Sequence, residues 1–169
     1  MLNAIDVAKY FLSKDLEKKV FTKNLIELND KTFHDGNARL NKYLHLAQNI
    51  YIAKTGKPLL KEDFYAWING AVIPSIRDNF NVLYEKRNYN IKLDTTTKEF
   101  LDKLYSTLKN ATIEELIDLS HEDTEWKQKS KGICKSEQKM NSISRRNEYK
   151  EQYADILALM ERMDADGNY

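Results

Sequence analysis

The chain has 169 residues, 41% of them hydrophobic and 31% charged, enough for one domain with a buried core and too apolar for a disordered chain. Its formal net charge of +1 gives no global pull toward nucleic acid, and no apolar run approaches the roughly 20 residues that span a bilayer. Two prolines, five glycines and one cysteine exclude a Pro/Gly-rich sandwich and a disulfide-stapled scaffold; with no signal-peptide pattern after Met1, a reducing, cytoplasmic setting is expected.

Asn3 caps a predicted first helix whose apolar positions Ile5, Ala8, Phe11 and Leu12 repeat at helical spacing and fade near Lys14. Residues 22–36 are polar with scattered apolar side chains and close on Asp35-Gly36, a turn pair; they read as a loop with at most one short element. Asn37 then caps the clearest helix in the sequence. Leu40, Tyr43, Leu44, Ala47, Ile50 and Tyr51 form one broad apolar stripe, Gly56 suits a left-handed end, and Pro58 forbids continuation. His45 on this helix reads as an edge-of-core side chain with a hydrogen-bond partner.

Between Pro58 and Pro74 the pattern changes. Phe64, Ala66 and Ile68 alternate with Tyr65 and Trp67, as in a buried strand, and Asn69-Gly70 marks a turn returning through Ala71, Val72 and Ile73. Pro74 fits the first turn of a further helix, with Ile76, Phe80 and Leu83 inward. Thr96-x-x-Glu99 and Thr112-x-x-Glu115 read as capping boxes opening two more helices, and residues 149–163 as one long terminal helix. The expected fold is mainly α: a single compact helical domain of about six helices with a minor β-hairpin near residues 60–73. Residues 1–132 form its body; residues 133–169 form a basic segment and helix packed on or extending it.

The inventory for chemistry is thin. There is no phosphate-binding Gly-rich loop, Cys-x-x-Cys pair or His-Glu-x-x-His motif, and His34, His45 and His121 lie far apart. The sequence therefore predicts no enzyme, no catalytic residue, no metal and no cofactor. The densest polar cluster, Asp118, His121, Glu122, Asp123 and Glu125, has the helical spacing that could hold a metal. The reading preferred is a helix end followed by the capped start of the next helix, with Trp126 turned inward. Cys134 reads as an incidental thiol. Residues 127–150 carry eight bases against two acids, a balance of +6, and residues 151–169 one base against five acids, a balance of −4. Such asymmetry reads first as a solvated surface, and otherwise as steering a partner or pairing the two segments with each other. Only Tyr149 interleaves the basic run with an aromatic ring, which argues against nucleic acid as a partner.

Three stretches in this order carry a resemblance to a known family. They are Ala4-Ile5-Asp6-Val7-Ala8-Lys9-Tyr10; the Leu40–Tyr51 stripe running through Thr55-Gly56-Lys57-Pro58-Leu59 to Ala66-Trp67 and Gly70-Ala71-Val72; and Leu119-Ser120-His121 with Trp126 five residues on. Together they resemble the SocA-like Panacea family of phage-associated antitoxins. Gly70-Ala71-Val72 departs from that family's Gly-Pro-Val, residues 22–36 expand a normally short link, and the tail from Ser136 has no counterpart. The resemblance implies a phage- or mobile-element-associated protein that binds a cognate protein toxin directly or hands it to a Clp-type protease. An inhibitor of another host protein and a DNA-binding transcriptional regulator are the alternatives.

The partner-binding residues expected are Trp67, Asn69, Gly70 and Pro74 in one turn region and His121 and Trp126 in the other, since polar-rimmed turns with aromatic or Pro residues are common interface anchors. Lys127 and Lys129 beside them would steer an acidic partner. Both tryptophans are expected to be largely buried, anchoring the two segments in one core.

Overall fold

The apolar spacing after Asn3 produces α1 (Ala4–Ser13), which buries Val7, Ala8, Phe11 and Leu12. Asn3 precedes it in extended conformation, but its amide donates to Asp6 Oδ2 (3.3 Å) and caps no backbone group. This computed structural model describes residues 1–135, 137–140, 142–164 and 167–168; Ser136, where the unmatched tail begins, and Asp166, counted in the acidic end, lie outside them.

Residues 22–36 hold more structure than the loop expected. Strands β1 (Leu25–Leu28) and β2 (Lys31–His34) pair antiparallel, from Leu25↔His34 to Leu28↔Lys31. The turn is Asn29-Asp30, both at positive φ, the two-residue geometry that matches strand twist and that Asn and Asp tolerate. Asp35-Gly36 is not a turn. Its amides bond Asn24 O (2.7 Å) and Thr22 O (2.8 Å), carrying the hairpin straight into α2 (Asp35–Thr55). The helix therefore starts two residues before Asn37, whose side chain donates to Arg77 O (3.0 Å) instead of capping. Its end is where the sequence puts it, at Gly56 with φ 73° and an amide bonded to Ile52 O.

Strands β3 (Tyr65–Trp67) and β4 (Gly70–Val72) form the expected second hairpin around a two-residue loop, Ile68-Asn69. Two short helices follow, α3 (Pro74–Asp78) and α4 (Phe80–Glu85), burying Ile76, Phe80 and Leu83. Helix α5 (Thr95–Leu108) is capped by Asp94, whose carboxylate accepts from the Thr97 amide (2.9 Å) and hydroxyl (2.6 Å), so the Thr96–Glu99 box does not form. The Thr112–Glu115 box does form and opens α6 (Ile113–His121), which runs into α7 (Thr124–Ser130). The single terminal helix expected is broken. A 3-10 turn (Ser142–Arg145) leads into α8 (Arg146–Gln152) and α9 (Ala154–Glu161), interrupted at Tyr153, whose ring is buried. Among the described residues there are nine α-helices where about six were expected, the extra ones arising at the breaks beside Asn79 and Tyr153 and from α7.

At the centre lies α2. Every residue from 40 to 50 is buried, and α1, α3, α5, α6, α8 and both hairpins pack around it. The chain ends are woven in. Leu2 exchanges backbone bonds with Leu59 (2.7 Å) and Lys61 (2.9 Å), and residues 138–140 bond the edge of β3 through Ala66 N to Gln138 O (3.0 Å) and Met140 N to Phe64 O (2.8 Å). No helix among the described residues is long and apolar enough to cross a membrane.

Two buried carboxylates fasten the N-terminal third. Asp102 on α5 accepts from Tyr10 OH (2.5 Å) and pairs with Lys14 (2.9 Å) and Lys98 (2.8 Å), clasping α1 to α5. Asp15 accepts from the amides of Lys19 (2.9 Å), Val20 (3.1 Å) and Phe21 (2.9 Å) and from Arg87 Nη1 (2.9 Å). Arg87 also donates to Phe21 O, so one buried pair closes the 15–21 turn and pins it to the segment after α4. Removing one partner of such a pair leaves the other charge buried and uncompensated. Asp15→Ala should cost about 3–5 kcal/mol and lower Tm by roughly 6–20 °C in a circular-dichroism melt; an unchanged Tm would refute this role.

Candidate functional site

Hairpin β3–β4 lies across α2 and is tied to it by side chains that the helix buries. Asn41 Oδ1 accepts from Ile73 N (3.4 Å), and Lys42 Nζ donates to Asn69 O at the hairpin tip. Lys42 is 3% exposed, and burial pushes its ammonium down to about 8. Gly70 follows the tip at φ 123°, where any Cβ would overlap the Lys42 ammonium. The glycine is thus required twice, by its backbone and by the lysine beneath it.

The α6–α7 corner meets this hairpin from the other side. Asp123 makes the corner, its Oδ1 accepting from the amides of Glu125 (2.9 Å) and Trp126 (3.3 Å) as the cap of α7. That turn folds His121 flat against Trp126, ring centroids 3.8 Å apart and planes 10° from parallel. Trp126 Nε1 then donates to Trp67 O (2.8 Å), joining the two family-like segments directly. Both tryptophans are only partly buried, short of the largely buried anchors expected, and only Trp126 packs on the core. His121 Nε2 is buried without a hydrogen-bond partner among the described residues, and burial together with the nearby Lys42 charge lowers the imidazole to about 4.

Five of the eight residues expected in the site thus come together: Trp67, Asn69, Gly70, His121 and Trp126. Pro74 opens α3 beyond β4; its helix returns through Arg77, whose guanidinium lies 5.3 Å from the Trp67 ring centroid. Lys127 is exposed. Lys129 is engaged, bonding Glu125 (2.8 Å) and Lys139 O (2.6 Å). Three of the other six bases of the run are engaged as well: Arg145 pairs with Glu148 (3.1 Å), Lys139 with Asp63 (3.3 Å), and Arg146 reaches the last carbonyls of α2.

Sequence reasoning missed what lies beneath. The other oxygen of Asp123, Oδ2, accepts from His45 Nε2 (2.9 Å), Asn49 Nδ2 (2.9 Å) and Tyr149 OH (3.2 Å), and Asn49 also reaches Tyr153 OH (3.3 Å). His45 is fully buried here, not at the core's edge. Burial alone would raise the Asp123 carboxyl, but the bonds from His45, Asn49 and the Trp126 amide outweigh it and hold it at about 2. A His–Asp pair sealed from solvent cannot reach a substrate, so this network positions the corner. The metal reading of Asp118, His121 and Glu125 is not assembled either: Asp118 is exposed and Glu125 pairs with Lys129. No group of three His, Cys, Asp or Glu side chains among the described residues could hold a metal ion. A hint was present in the sequence, because Lys42 is the only formal charge between Leu40 and Ala53 and such a helix has no solvent face.

Beside the Trp67 ring a cleft of about 250 Å³ opens between the two hairpins, floored by α2. Antitoxin SocA-like, Panacea domain, is the description of the family model that matches residues 40–127, just over half of the chain. The matched span holds α2 from Leu40, hairpin β3–β4 and the His121–Trp126 corner; α1, hairpin β1–β2 and the C-terminal helices lie outside it. No curated protein and no solved structure matches the chain.

The two shifted groups predict a two-stage acid limb. A neutral histidine held below its ordinary value of about 6.5 contributes stability that is full above that pH and lost as pH falls toward 4. Asp123, held below its ordinary value of about 3.9, contributes stability that is full above that pH and lost as pH falls toward 2. Urea midpoints measured against pH should therefore fall in both windows, and His121→Gln should flatten the upper one while sparing the lower. Equal slopes in variant and parent would remove the argument. Gly70→Ala should separately cost about 1–3 kcal/mol, read as a lower Tm, and a neutral outcome would mean that the hairpin tip does not bear on Lys42.

Proposed function

The chain belongs to the SocA-like antitoxin Panacea family, and from that premise we propose that it is an antitoxin that acts in the cytoplasm by binding a protein toxin directly, without catalysis. The observation that carries the reading is the joint between the matched segments. The Trp126–Trp67 bond brings hairpin β3–β4 and the His121–Trp126 corner onto one face, with partly buried aromatic rings, a polar rim and a cleft alongside. Interfaces anchor on such aromatic groups within polar surroundings. The pairing of four of the eight bases of that run, Lys129, Lys139, Arg145 and Arg146, with acids or helix carbonyls supports a protein partner over a nucleic acid, since phosphate tracking needs clustered free cations.

Capture is the primary act in this reading, and transfer of the captured toxin to a Clp-type protease is a step that can follow it. The test is co-expression with the candidate toxin encoded beside this gene. Growth should be restored, and the two purified proteins should co-elute as one complex. Restoration that persists in a host lacking the Clp protease means that capture is sufficient; restoration that disappears there makes the protein an adaptor. Failure to restore growth together with failure to form a complex would overturn the proposal.

A further inference from the structure

The cleft between the hairpins has an unusual charge balance. Its lining includes Lys31, Lys42, Arg77 and Lys135 and no acidic side chain. Phe33, Val72 and Trp67 supply apolar wall, and Arg77 and Lys135 stand over the Trp67 ring at 5.3 and 5.5 Å. At the floor, Lys42 is a nearly fully buried cation, and among the described residues no carboxylate pairs with it. Its recorded acceptor is one backbone carbonyl, that of Asn69, whereas an ammonium carries three donors. A buried charge without a counter-ion is costly, and an anion seated against it recovers that cost.

We infer that this cleft seats an acidic segment of the partner protein, with one carboxylate directed at Lys42 and flanking acids meeting Arg77, Lys135 and Lys31 at the rim. The inference rests on the protein-binding reading above and specifies the chemistry of the partner. The chain's own acidic end is not the occupant, because Gly167 lies against Asp102 and Ser106 on α5. A single-stranded nucleic acid fits less well. The Trp67 ring is already engaged by two cations and so is a poor stacking platform, and about 250 Å³ accommodates one or two side chains rather than a run of bases.

The walls also differ in origin. Lys42, Trp67 and Arg77 lie inside the family match, whereas Leu28, Lys31 and Phe33 come from hairpin β1–β2 and Lys135 from the segment after α7, both outside it. The two hairpins touch at their tips through Asn29 Nδ2 and Asn69 Oδ1, so the outer wall is held against the shared one. Partner choice is then set by segments outside the family match around a cation that lies within it.

Calorimetric titration of the full-length protein at low salt tests this with unlabelled synthetic probes. One is an octapeptide of alternating Asp and Phe, the second replaces each Asp with Lys, and the third is octathymidylate. The acidic peptide should bind and the lysine peptide should not. Lys42→Met and the exposed-rim double variant Arg77→Glu/Lys135→Glu should each weaken the acidic peptide at least about tenfold, while Lys61→Glu/Lys92→Glu, an equal charge reversal at exposed positions outside the cleft, should leave it unchanged. Circular dichroism checks the fold of each variant, and the rim double variant decides the matter should Lys42→Met not fold. No binding of the acidic peptide, equal binding of the lysine peptide, unchanged affinity in the cleft variants, or tighter binding of octathymidylate would each overturn the inference. Growth restoration by the same variants separates the two claims. Variants that lose the peptide yet still neutralise the toxin sink the cleft while the antitoxin reading stands; a parent that binds the peptide but neutralises nothing does the reverse.

Discussion

The central stretch of α2 is buried on every side and carries five amide, amine or imidazole side chains that hydrogen-bond to other parts of the chain, while Tyr43 OH, His45 Nδ1 and Asn49 Oδ1 have no partner among the described residues. Asn41, Lys42, His45, Gln48 and Asn49 are all buried. Together they reach four places on the chain: Asn41 accepts from Ile73 N, Lys42 donates to Asn69 O, His45 and Asn49 bond Asp123, and Gln48 accepts from the Leu59 and Leu60 amides (2.9 and 3.0 Å). Hydrophobic burial is non-directional and tolerates sliding, whereas these bonds do not. They fix where the extended segment, the second hairpin and the α6–α7 corner sit along one axis. The spacing of hairpin β3–β4 and the His121–Trp126 corner is therefore set in the interior.

This arrangement explains what the sequence could and could not reveal. Elements whose signals are local were legible: Gly56 with Pro58 ends α2, Thr112 with Glu115 opens α6, and the alternation around Tyr65–Trp67 is a hairpin arm. Errors arose where a local signal had two physical readings. Asp35-Gly36 has turn chemistry, but a better turn six residues earlier, Asn29-Asp30, took the strand reversal and left Asp35 to start a helix. Thr96 lost the cap to Asp94 because a carboxylate two residues upstream can accept from both the amide and the hydroxyl of Thr97. The terminal apolar run looked continuous because periodicity does not register a break such as that at Tyr153, which points its ring to the core.

The site was half legible for a related reason. Trp67, Asn69, Gly70, His121 and Trp126 stood out as turn and aromatic residues, and they meet. Their supports did not stand out, because Asp123 and Tyr149 are 26 residues apart and His45 and Asp123 are 78 apart; nothing in spacing announces such bonds. The electrostatic expectation moved for a physical cause as well. A run of like charges in sequence is scattered by folding: Lys129 pairs with Glu125 on its own helix, Lys139 with Asp63 before β3, and Arg145 with Glu148 at the start of α8. The cations that converge, Lys31, Lys42, Arg77 and Lys135, come from four separate segments.

Rigid support and variable surface are then divided between different parts of one chain. The bonds from α2 hold hairpin β3–β4 at its base and at its tip, so side chains beside it vary without moving the backbone that presents them. Hairpin β1–β2 leans on that tip through an exposed Asn–Asn contact and otherwise carries exposed Leu25, Glu27, Lys31 and Thr32. Surface substitutions away from caps and buried pairs change stability by only about 0.5 kcal/mol. Substitutions can therefore alter that wall at little cost to the fold. Lys42 is under the opposite constraint. Its stem is packed among the core of α2 and its ammonium sits beneath Gly70, so neither a shorter side chain nor a bulkier tip residue leaves the hairpin where it is. Both kinds of position, the buried cation and the exposed hairpin wall, face each other across one cleft.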